Sequence, residues 1–356
     1  METSVITRDL IASLNKPVKI SFETIETNRF NSIKQKSELL GKSRYLQDIG
    51  VLILEDSKEI QVLSDKQLLL KATHKPREYG IFGLSDFTSI NLGNMQLHPD
   101  TGTLASMFEN CYDLKEVDFG SMDTSQVTNM SKMFILCDRL TSVKFNNINT
   151  ENVTTFESMF RDCTRLKSID LSMFNTRKAT DMQEMFNRCT DLESIDLSTF
   201  NTENVVRMHS MFNYCRSLKH IDISNFNMHN VDDMSRMFCV CSSLEDINFG
   251  YNVTKVRDAY EVFYNCEKIK AINLRNLKPD DLYSMHMMFE NCHSLEYLDL
   301  TGLNSTPYCS MDHIFDGCDN LKTIKVSSEE WKQVLDEHLE NHSAIDKKPI
   351  KCKLVV

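Results

Sequence analysis

The sequence predicts an α/β solenoid, a curved stack of about nine helix–strand units that share one parallel sheet. Nine of its 12 cysteines follow one another at steps of 26 residues, with a single step of 25. Apolar residues recur at constant distances before and after each of these cysteines. Within each unit their spacing changes from a helical to an extended pattern. A period of about 20–50 residues is typical of stacked repeat proteins.

The nine cysteines form one column of the repeat, at Cys111, Cys137, Cys163, Cys189, Cys215, Cys241, Cys266, Cys292 and Cys318. A unit with a single cysteine cannot form a disulfide within itself. The ligands of a metal site would be clustered in the sequence, whereas these cysteines are evenly spaced. Helices packed side by side lie about 8–10 Å apart, which is too far for neighbouring cysteines to bridge. The column is therefore predicted to hold buried free thiols. Cys239, Cys309 and Cys352 lie outside it and are the candidates for a reactive thiol.

The unit that leads to Cys163 shows the change of pattern. Phe156, Met159, Phe160 and Cys163 follow the i, i+3, i+4, i+7 spacing of one helical face, which predicts a helix of about two turns. From Ile169 onward, apolar and polar residues alternate, which predicts a short strand with one buried face. Stacked units would place these strands in one parallel sheet, with the helices on its other side.

Residues 159–176 read MFRDCTRLKSIDLSMFNT, and this run recurs from Leu84 to Val326. The run resembles the repeat of the BspA-like leucine-rich-repeat family, which includes the repeats labelled DUF285 in mycoplasma. The resemblance implies a leucine-rich-repeat solenoid that recognises proteins and has no enzymatic activity. It also implies surface exposure or secretion, which many members of that family share.

The repeats define three regions, 1–80, 81–326 and 327–356. Residues 1–80 do not follow the repeat and mix strand and helix patterns. They are interpreted either as an α+β cap of the solenoid or as a small α+β domain with its own activity. Residues 327–356 are predicted to be a C-terminal cap helix and tail. In that helix Trp331 and Leu335 would cover the apolar edge of the last coil.

Charge and composition exclude several classes of function. The net charge is −11, and the repeat region 81–326 has 22 Lys and Arg against 34 Asp and Glu. This balance argues against a protein that binds nucleic acid by neutralising phosphates. No apolar window approaches 18 residues, so membrane insertion is not expected. Residues 1–16 contain Glu2, Arg8 and Asp9 and show no signal peptide. The expected location is the cytoplasm, with surface exposure or secretion by a route without a signal peptide as the alternative.

The open face of the predicted sheet carries the candidate partner-binding residues, which are Asp170, Asp196, Asp222, His220, Asp246, Arg275, Tyr297 and Asp299. Two interpretations of the aspartates stay open. They could form an acidic stripe that docks a protein with a basic surface, or serines and backbone amides could satisfy each carboxylate as part of the repeat. Residues that break their columns are the better candidates, because tyrosine and arginine are favoured anchors in interfaces.

The units near the C-terminus are less regular than the others. One step, from Cys241 to Cys266, is shortened to 25 residues, and Pro279 and Pro307 enter the turns. This irregularity has two interpretations: drift close to the C-terminal cap, or a bend that shapes a binding surface.

No catalytic motif accompanies the repeat. The sequence has no phosphate-binding loop, no GxSxG elbow and no HExxH pair, so neither catalysis nor a cofactor or metal is expected. The function indicated is a non-enzymatic scaffold that binds a protein partner with the open sheet face. The alternatives are an exported adhesin or effector of a bacterium, and an activity that resides in residues 1–80.

Overall fold

The computed structural model describes residues 3–6, 19–40, 43–46, 51–56, 59–64, 67–70, 80–84, 87–93, 95–303, 309–346 and 352–356. The chain winds as a parallel β-solenoid of about ten turns, so the predicted parallel stack of repeats is confirmed. It divides into two compact units. The first comprises Met1–Thr155 and Met159–Asn175, and the second comprises Phe156–Ser158 and Thr176–Val356.

The first unit contains ten strands and one helix in its described residues. The strands are β1 (Thr3–Ile6), β2 (Lys19–Thr24), β3 (Ser43–Leu46), β4 (Val51–Asp56), β5 (Glu59–Ser64), β6 (Gln67–Leu70), β7 (Ser89–Asn91), β8 (Gln96–Leu97), β9 (Glu116–Asp118) and β10 (Ser142–Lys144). One sheet has the order β10-β9-β7-β2-β5-β4-β3, and a smaller parallel sheet has the order β1-β6-β8. Because β2 pairs in parallel with both β5 and β7, the sheet of the repeats continues into the N-terminal region.

The N-terminal region has a small core of its own within that first unit. Strands β3, β4 and β5 pair antiparallel, unlike the repeat strands. The helix α1 (Thr27–Leu39) buries Phe30 together with Leu52, and the Phe30 ring lies 6.0 Å from that of Tyr45. Both the cap and the separate activity proposed for residues 1–80 stay predictions.

The second unit contains six strands and one helix in its described residues: β11 (His220–Asp222), β12 (Asp246–Asn248), β13 (Ala271–Asn273), β14 (Tyr297–Asp299), β15 (Thr323–Lys325), α2 (Glu329–Asp346) and β16 (Lys353–Val355). Strands β11 and β12 form a parallel pair, and β13-β14-β15-β16 form a parallel sheet. The register places equivalent residues of successive repeats side by side, as in Ile221 beside Ile247.

The short helices predicted before the cysteines are wrong, because these segments are turns. Residues 157–162, before Cys163, have no helical hydrogen-bond pattern. In these segments and their equivalents, some backbone N–H groups donate to a carbonyl of the same turn and others donate to a carbonyl of the next coil. Cys137 N–H donates to Phe134 O at 3.1 Å within its own turn, whereas Leu136 N–H donates to Arg161 O of the next coil at 2.9 Å. An amide used between coils is not available for the i→i−4 bond of a helix.

Each turn also holds two residues in the left-handed backbone region, four positions apart. Examples are Lys132 with φ 58° and Leu136 with φ 61°, and Arg236 with φ 56° and Val240 with φ 59°. A residue with a Cβ costs roughly 1–2 kcal/mol in this region. The hydrogen bonds to the neighbouring coils hold the conformation despite that cost.

The cysteine column is buried, as predicted, and all 12 cysteines are free. Each column thiol with a described bond donates to a phenylalanine carbonyl one coil earlier, as Cys137 does to Phe108 O at 3.0 Å and Cys241 to Phe212 O at 3.2 Å. The same phenylalanines stack ring on ring, with centroids 5.1–5.4 Å apart in the first unit and 5.5–6.0 Å apart in the second.

The prediction of free thiols assumed that neighbouring column cysteines lie too far apart to form a disulfide, and this assumption was wrong. Hydrogen bonds such as Asn110 N–H to Ile135 O, 2.9 Å, join the coils directly, so the coils are spaced like adjacent strands, about 4.8 Å apart. Burial and the carbonyl acceptor, rather than distance, account for the free thiols. Burial raises the pKa of Cys292 to about 12, and it does the same for Cys239, which is 4% exposed. Of the three candidate reactive thiols, only Cys309 and Cys352 are partly exposed.

The C-terminal helix is present, and a strand that the sequence did not predict follows it. Ser328 Oγ accepts the Trp331 N–H at 3.1 Å at the start of α2, and Trp331 and Leu335 are buried. The predicted tail ends in β16, which pairs with β15 and contacts α2. The apolar run that forms β16 is too short to be distinguished in the sequence from a tail. Within the described part of the chain, no helix combines the length and the apolar character needed to cross a membrane.

Thiol labelling tests the burial of the column. We expect the native protein to leave the nine column cysteines unmodified, while Cys309 and Cys352 react slowly and faster at higher pH, since burial raises the pKa of both to about 11. Denatured protein should label all 12. Mass-spectrometric mapping that finds a column cysteine modified before Cys309 would contradict the structure.

Replacing Trp331 tests whether the C-terminal helix stabilises the solenoid. Trp331 is 2% exposed, and removing a buried tryptophan side chain costs roughly 3–5 kcal/mol. Trp331→Ala should therefore lower the melting temperature strongly, while Gln333→Ala, at an exposed position of the same helix, should leave it unchanged. Equal melting temperatures for the two variants would show that α2 does not stabilise the fold.

Candidate functional site

The outward residues of strands β11–β15, together with those of the turn directly after each strand, form one surface of the second unit, here called the sheet face. The middle residue of most of these strands is buried, and the residues on either side of it point outward. The parallel register sets His220 beside Asp246 and Asp222 beside Asn248. Strand β13 contacts β12, so the rows continue toward the C-terminus. Six of the predicted site residues lie on this surface: His220, Asp222, Asp246, Arg275, Tyr297 and Asp299.

His220 and Asp246 form the most exposed pair of the sheet face. Their side chains are 62% and 68% exposed, and His220 Nδ1 lies 2.6 Å from Asp246 Oδ2. An ion pair in this setting contributes little to stability, because water and salt screen it. The pair is therefore available to a partner without loss of a structural bond.

Asp222 has a structural task. Its Oδ1 accepts the Ser224 N–H at 2.9 Å, which closes the turn after β11, and its Oδ2 accepts a hydrogen bond from Asn248 Nδ2 at 3.0 Å. The hydrogen bonds from Ser224, side chain and backbone, and then that from Asn248 lower the pKa of Asp222 below its ordinary value. The carboxylate is thus held in its ionised form.

The same turn recurs at the equivalent position of other repeats, including those of Asp170 and Asp196, where the structure has no strand. The residue two positions later donates its N–H to the carboxylate of Asp118, Asp170, Asp196 and Asp299, and to the amide oxygen of Asn273. Asp170 belongs to the first unit, and its bonds to Ser172 lower its pKa. The geometry favours the interpretation in which the repeat itself uses these carboxylates.

The C-terminal part of the sheet face is cationic and aromatic. Tyr297 is partly exposed, and Lys325 Nζ lies 5.7 Å from the centre of its ring. The Arg275 side chain is exposed. Asp299, in contrast, is only 8% exposed, and its Oδ1 accepts both the N–H and the hydroxyl of Thr301. It offers little surface to a partner.

A row of alternating charges was missed in the sequence. The residues that immediately precede β11–β15 are Lys219, Glu245, Lys270, Glu296 and Lys322. Backbone bonds stack them, and Lys322 Nζ forms an ion pair with Glu296. The hydrogen bond and charge of Lys322, with the charge of Lys270, lower the pKa of Glu296. The alternation of sign from one repeat to the next is visible in the sequence, and it means that the sheet face is not uniformly acidic.

Comparison with known proteins assigns the repeats to a family. A family model described as "Mycoplasma protein of unknown function, DUF285" matches residues 102–219, 169–277 and 246–344. The chain belongs to this family. The BspA-like resemblance of the repeat is thereby confirmed. DUF285 is defined without a known activity, so its function has to be argued from the surface. A search of the curated proteins finds no match.

Two solved structures are similar to this DUF285 protein. A leucine-rich-repeat protein from Eubacterium ventriosum is 13% identical, with 78% of this chain and 76% of that chain covered and a TM-score of 0.36. A chain of the TLR13–ssRNA13 complex is also 13% identical, with a TM-score of 0.30. That match covers 92% of this chain and 56% of the other, so the chain spans little more than half of that protein.

The described residues also define what the surface can hold. Among them, no group of three or more His, Cys, Asp or Glu side chains is arranged to bind a metal ion. The sheet face presents separate hydrogen-bonding, cationic and aromatic groups along its rows. Such an arrangement suits an extended contact with another macromolecule.

The role of Asp222 in its turn can be tested by unfolding. Asp222→Ala removes the acceptor for two hydrogen bonds at an exposed site and should lower the free energy of unfolding by about 0.5–1 kcal/mol at pH 7. Because the pKa is depressed in the folded state, this contribution is present above the unfolded value of about 3.9 and is lost as the pH falls through the folded value. Urea unfolding should therefore separate wild type from variant less at pH 3 than at pH 7. A constant difference would remove the carboxylate from the explanation.

Proposed function

We propose that the protein is a non-enzymatic scaffold that binds a protein partner through the sheet face of its second unit. The observation that carries this proposal is the exposed His220–Asp246 pair, which the fold does not need. Other repeats hold Ser142, Ala271 or Thr323 in the same strand position with the same parallel pairing. A position that accepts serine, alanine and threonine does not require histidine, aspartate or tyrosine for folding.

The sheet face is polarised along the stack. Asp222 and Asp246 make its N-terminal part acidic, and Arg275, Tyr297 and Lys325 make its C-terminal part cationic and aromatic. A partner that sets a basic group against Asp246 and packs against Tyr297 would match both parts. Complementary charge increases the rate of association and selects orientation, whereas a buried aromatic anchor contributes most to affinity.

Variants matched to other repeats test this proposal. Affinity purification with the full chain and quantitative mass spectrometry would identify the partner, and titration would then give its Kd. His220→Ser with Asp246→Ser should abolish enrichment, and Tyr297→Ala should weaken binding by about 2 kcal/mol, roughly 30-fold. Asp222→Asn keeps an oxygen for the turn and removes the charge, so it should reduce the dependence of the Kd on salt.

The control is Glu116→Ser, at the same strand position of β9 in the first unit. It should leave both enrichment and Kd unchanged. A partner that binds the His220→Ser, Asp246→Ser variant and the Tyr297→Ala variant as tightly as wild type would exclude the sheet face as its binding surface.

A further inference from the structure

A cavity of about 390 Å³ opens on the second unit, and none of its lining residues belongs to the sheet face. Three consecutive coils line it. The central coil contributes Thr254, Lys255 and Arg257, and the coils before and after it contribute Asn230 with Asp232 and Asp280 with Asp281. The volume lies in the range of about 300–1,000 Å³ that small-molecule sites occupy.

The cavity coincides with the shortened repeat. Strand β12 keeps a 26-residue register with β11, as in His220 beside Asp246, but Asp258 pairs with Asp233 after only 25 residues. Asp222 pairs with Asn248 after 26 residues, but Asn227 pairs with Tyr251 after only 24, so the loss falls between Asn248 and Tyr251. This position lies just before the segment that supplies Thr254, Lys255 and Arg257.

A row of threonine hydroxyls, one in each repeat and each bonded to the next coil, ends directly before the shortened repeat. Thr176 Oγ1 donates to Asn201 O, and Thr202 Oγ1 donates to Asn227 O, each at 2.9 Å. Met228 stands one repeat after Thr202 and has no hydroxyl to continue the row. The coils beyond it are joined at this corner by other contacts, including Asp280 N–H to Thr254 O at 2.9 Å.

The cavity presents both acceptors and donors. Lys255 Nζ donates to Asn230 Oδ1 at 3.1 Å, and Arg257 Nε lies 3.8 Å from Asp281 Oδ2. These contacts use only part of the donor capacity of an ammonium and a guanidinium group. Within the part of the chain that the structure describes, neither Asp232 nor Asp280 has a hydrogen bond or ion pair to its carboxylate. Two free acceptors thus lie beside two cations.

An exposed tyrosine lies next to a lining residue in the pairing of the coils. Tyr283 N–H donates to Arg257 O at 2.9 Å, which places Tyr283 on the next coil, adjacent to a lining residue. The ring is 52% exposed, and its hydroxyl donates to Asp258 Oδ2 at 3.1 Å. This bond limits the rotation of the ring.

We propose that this cavity binds a neutral saccharide. The hydroxyl groups of a sugar both donate and accept, so they match carboxylates and cations that lie side by side. An anion would meet Asp232, Asp280 and Asp281, and a cation would meet Lys255 and Arg257. The C–H face of a sugar ring is apolar and can pack on the exposed Tyr283 ring.

Saturation-transfer NMR and calorimetric titration of the full chain test the proposal. The probes are the methyl glycosides of glucose, galactose, mannose and N-acetylglucosamine, with glucuronic acid, glucosamine and an oligolysine peptide as charged comparators. At least one neutral glycoside should bind, and its Kd should change little between about 0.05 and 0.5 M salt, because no net charge is neutralised.

Conservative variants locate the binding. Asp280→Asn and Arg257→Gln should each raise the Kd of that glycoside about tenfold, since each weakens a hydrogen bond to a charged group. Equal melting temperatures would show that these variants fold. Asp246→Ser, on the sheet face, should leave glycoside binding unchanged, which separates this site from the proposed protein surface. Binding of none of the neutral glycosides, binding of the charged comparators alone, or an unchanged Kd in both cavity variants would overturn the proposal.

Discussion

The contact between the buried cysteine of one coil and a phenylalanine carbonyl of the coil before it is the constraint on which the repeat depends. The thiol is small enough to lie inside the turn, and it gives a buried carbonyl a second hydrogen bond: Phe186 O accepts the Cys189 N–H of its own turn at 3.1 Å and the Cys215 thiol of the next coil at 3.2 Å. The same phenylalanine stacks on its equivalent in the next coil, Phe212. One column thus supplies the hydrogen bond and the other the apolar contact, and the two hold successive coils in register.

The sequence was sufficient for the period, the parallel pairing of strands and the buried columns, because each depends on which residues recur. The prediction of one continuous sheet was wrong, since residues 168–170 and 194–196 form no strand and the described strands belong to separate sheets. The sequence was also not sufficient to predict that the segment before each cysteine is a turn and not a helix. Met159, Phe160 and Cys163 have helical spacing, yet a turn with two left-handed residues brings the same positions to one side. Glycine would have marked those positions, but among them are Ser158, Asp162 and Lys132, and only the last repeat has Gly317. Their conformation comes from hydrogen bonds to other coils, which are absent from any local pattern.

For the candidate site, too, the sequence could predict which residues share a surface but not which hydrogen bonds they make. Predicting that His220, Asp246 and Tyr297 share one face needed only the register of parallel strands. The roles of the aspartates were not accessible, because an Asp-Leu-Ser run does not show that Asp196 Oδ1 closes its turn through Ser198 N–H. The burial of Asp299 likewise depends on its bonds to Thr301. The aspartates of the column close the turn that follows them, as Asn273 also does, whereas the side chains of His220 and Asp246 bond to each other and close no turn.

The shortened repeat also contains residues that depart from the repeat pattern. A solenoid tolerates a lost residue at a corner, since each coil contacts only its neighbours and the strands on either side keep their pairing. At this corner the loss occurs together with Met228 in the threonine row and with charged residues on three successive coils. Drift alone would not be expected to concentrate charge where the coil is altered. The coincidence of a shortened repeat, an interrupted hydrogen-bonded row and carboxylates beside cations on three coils is the basis on which a saccharide site is proposed here.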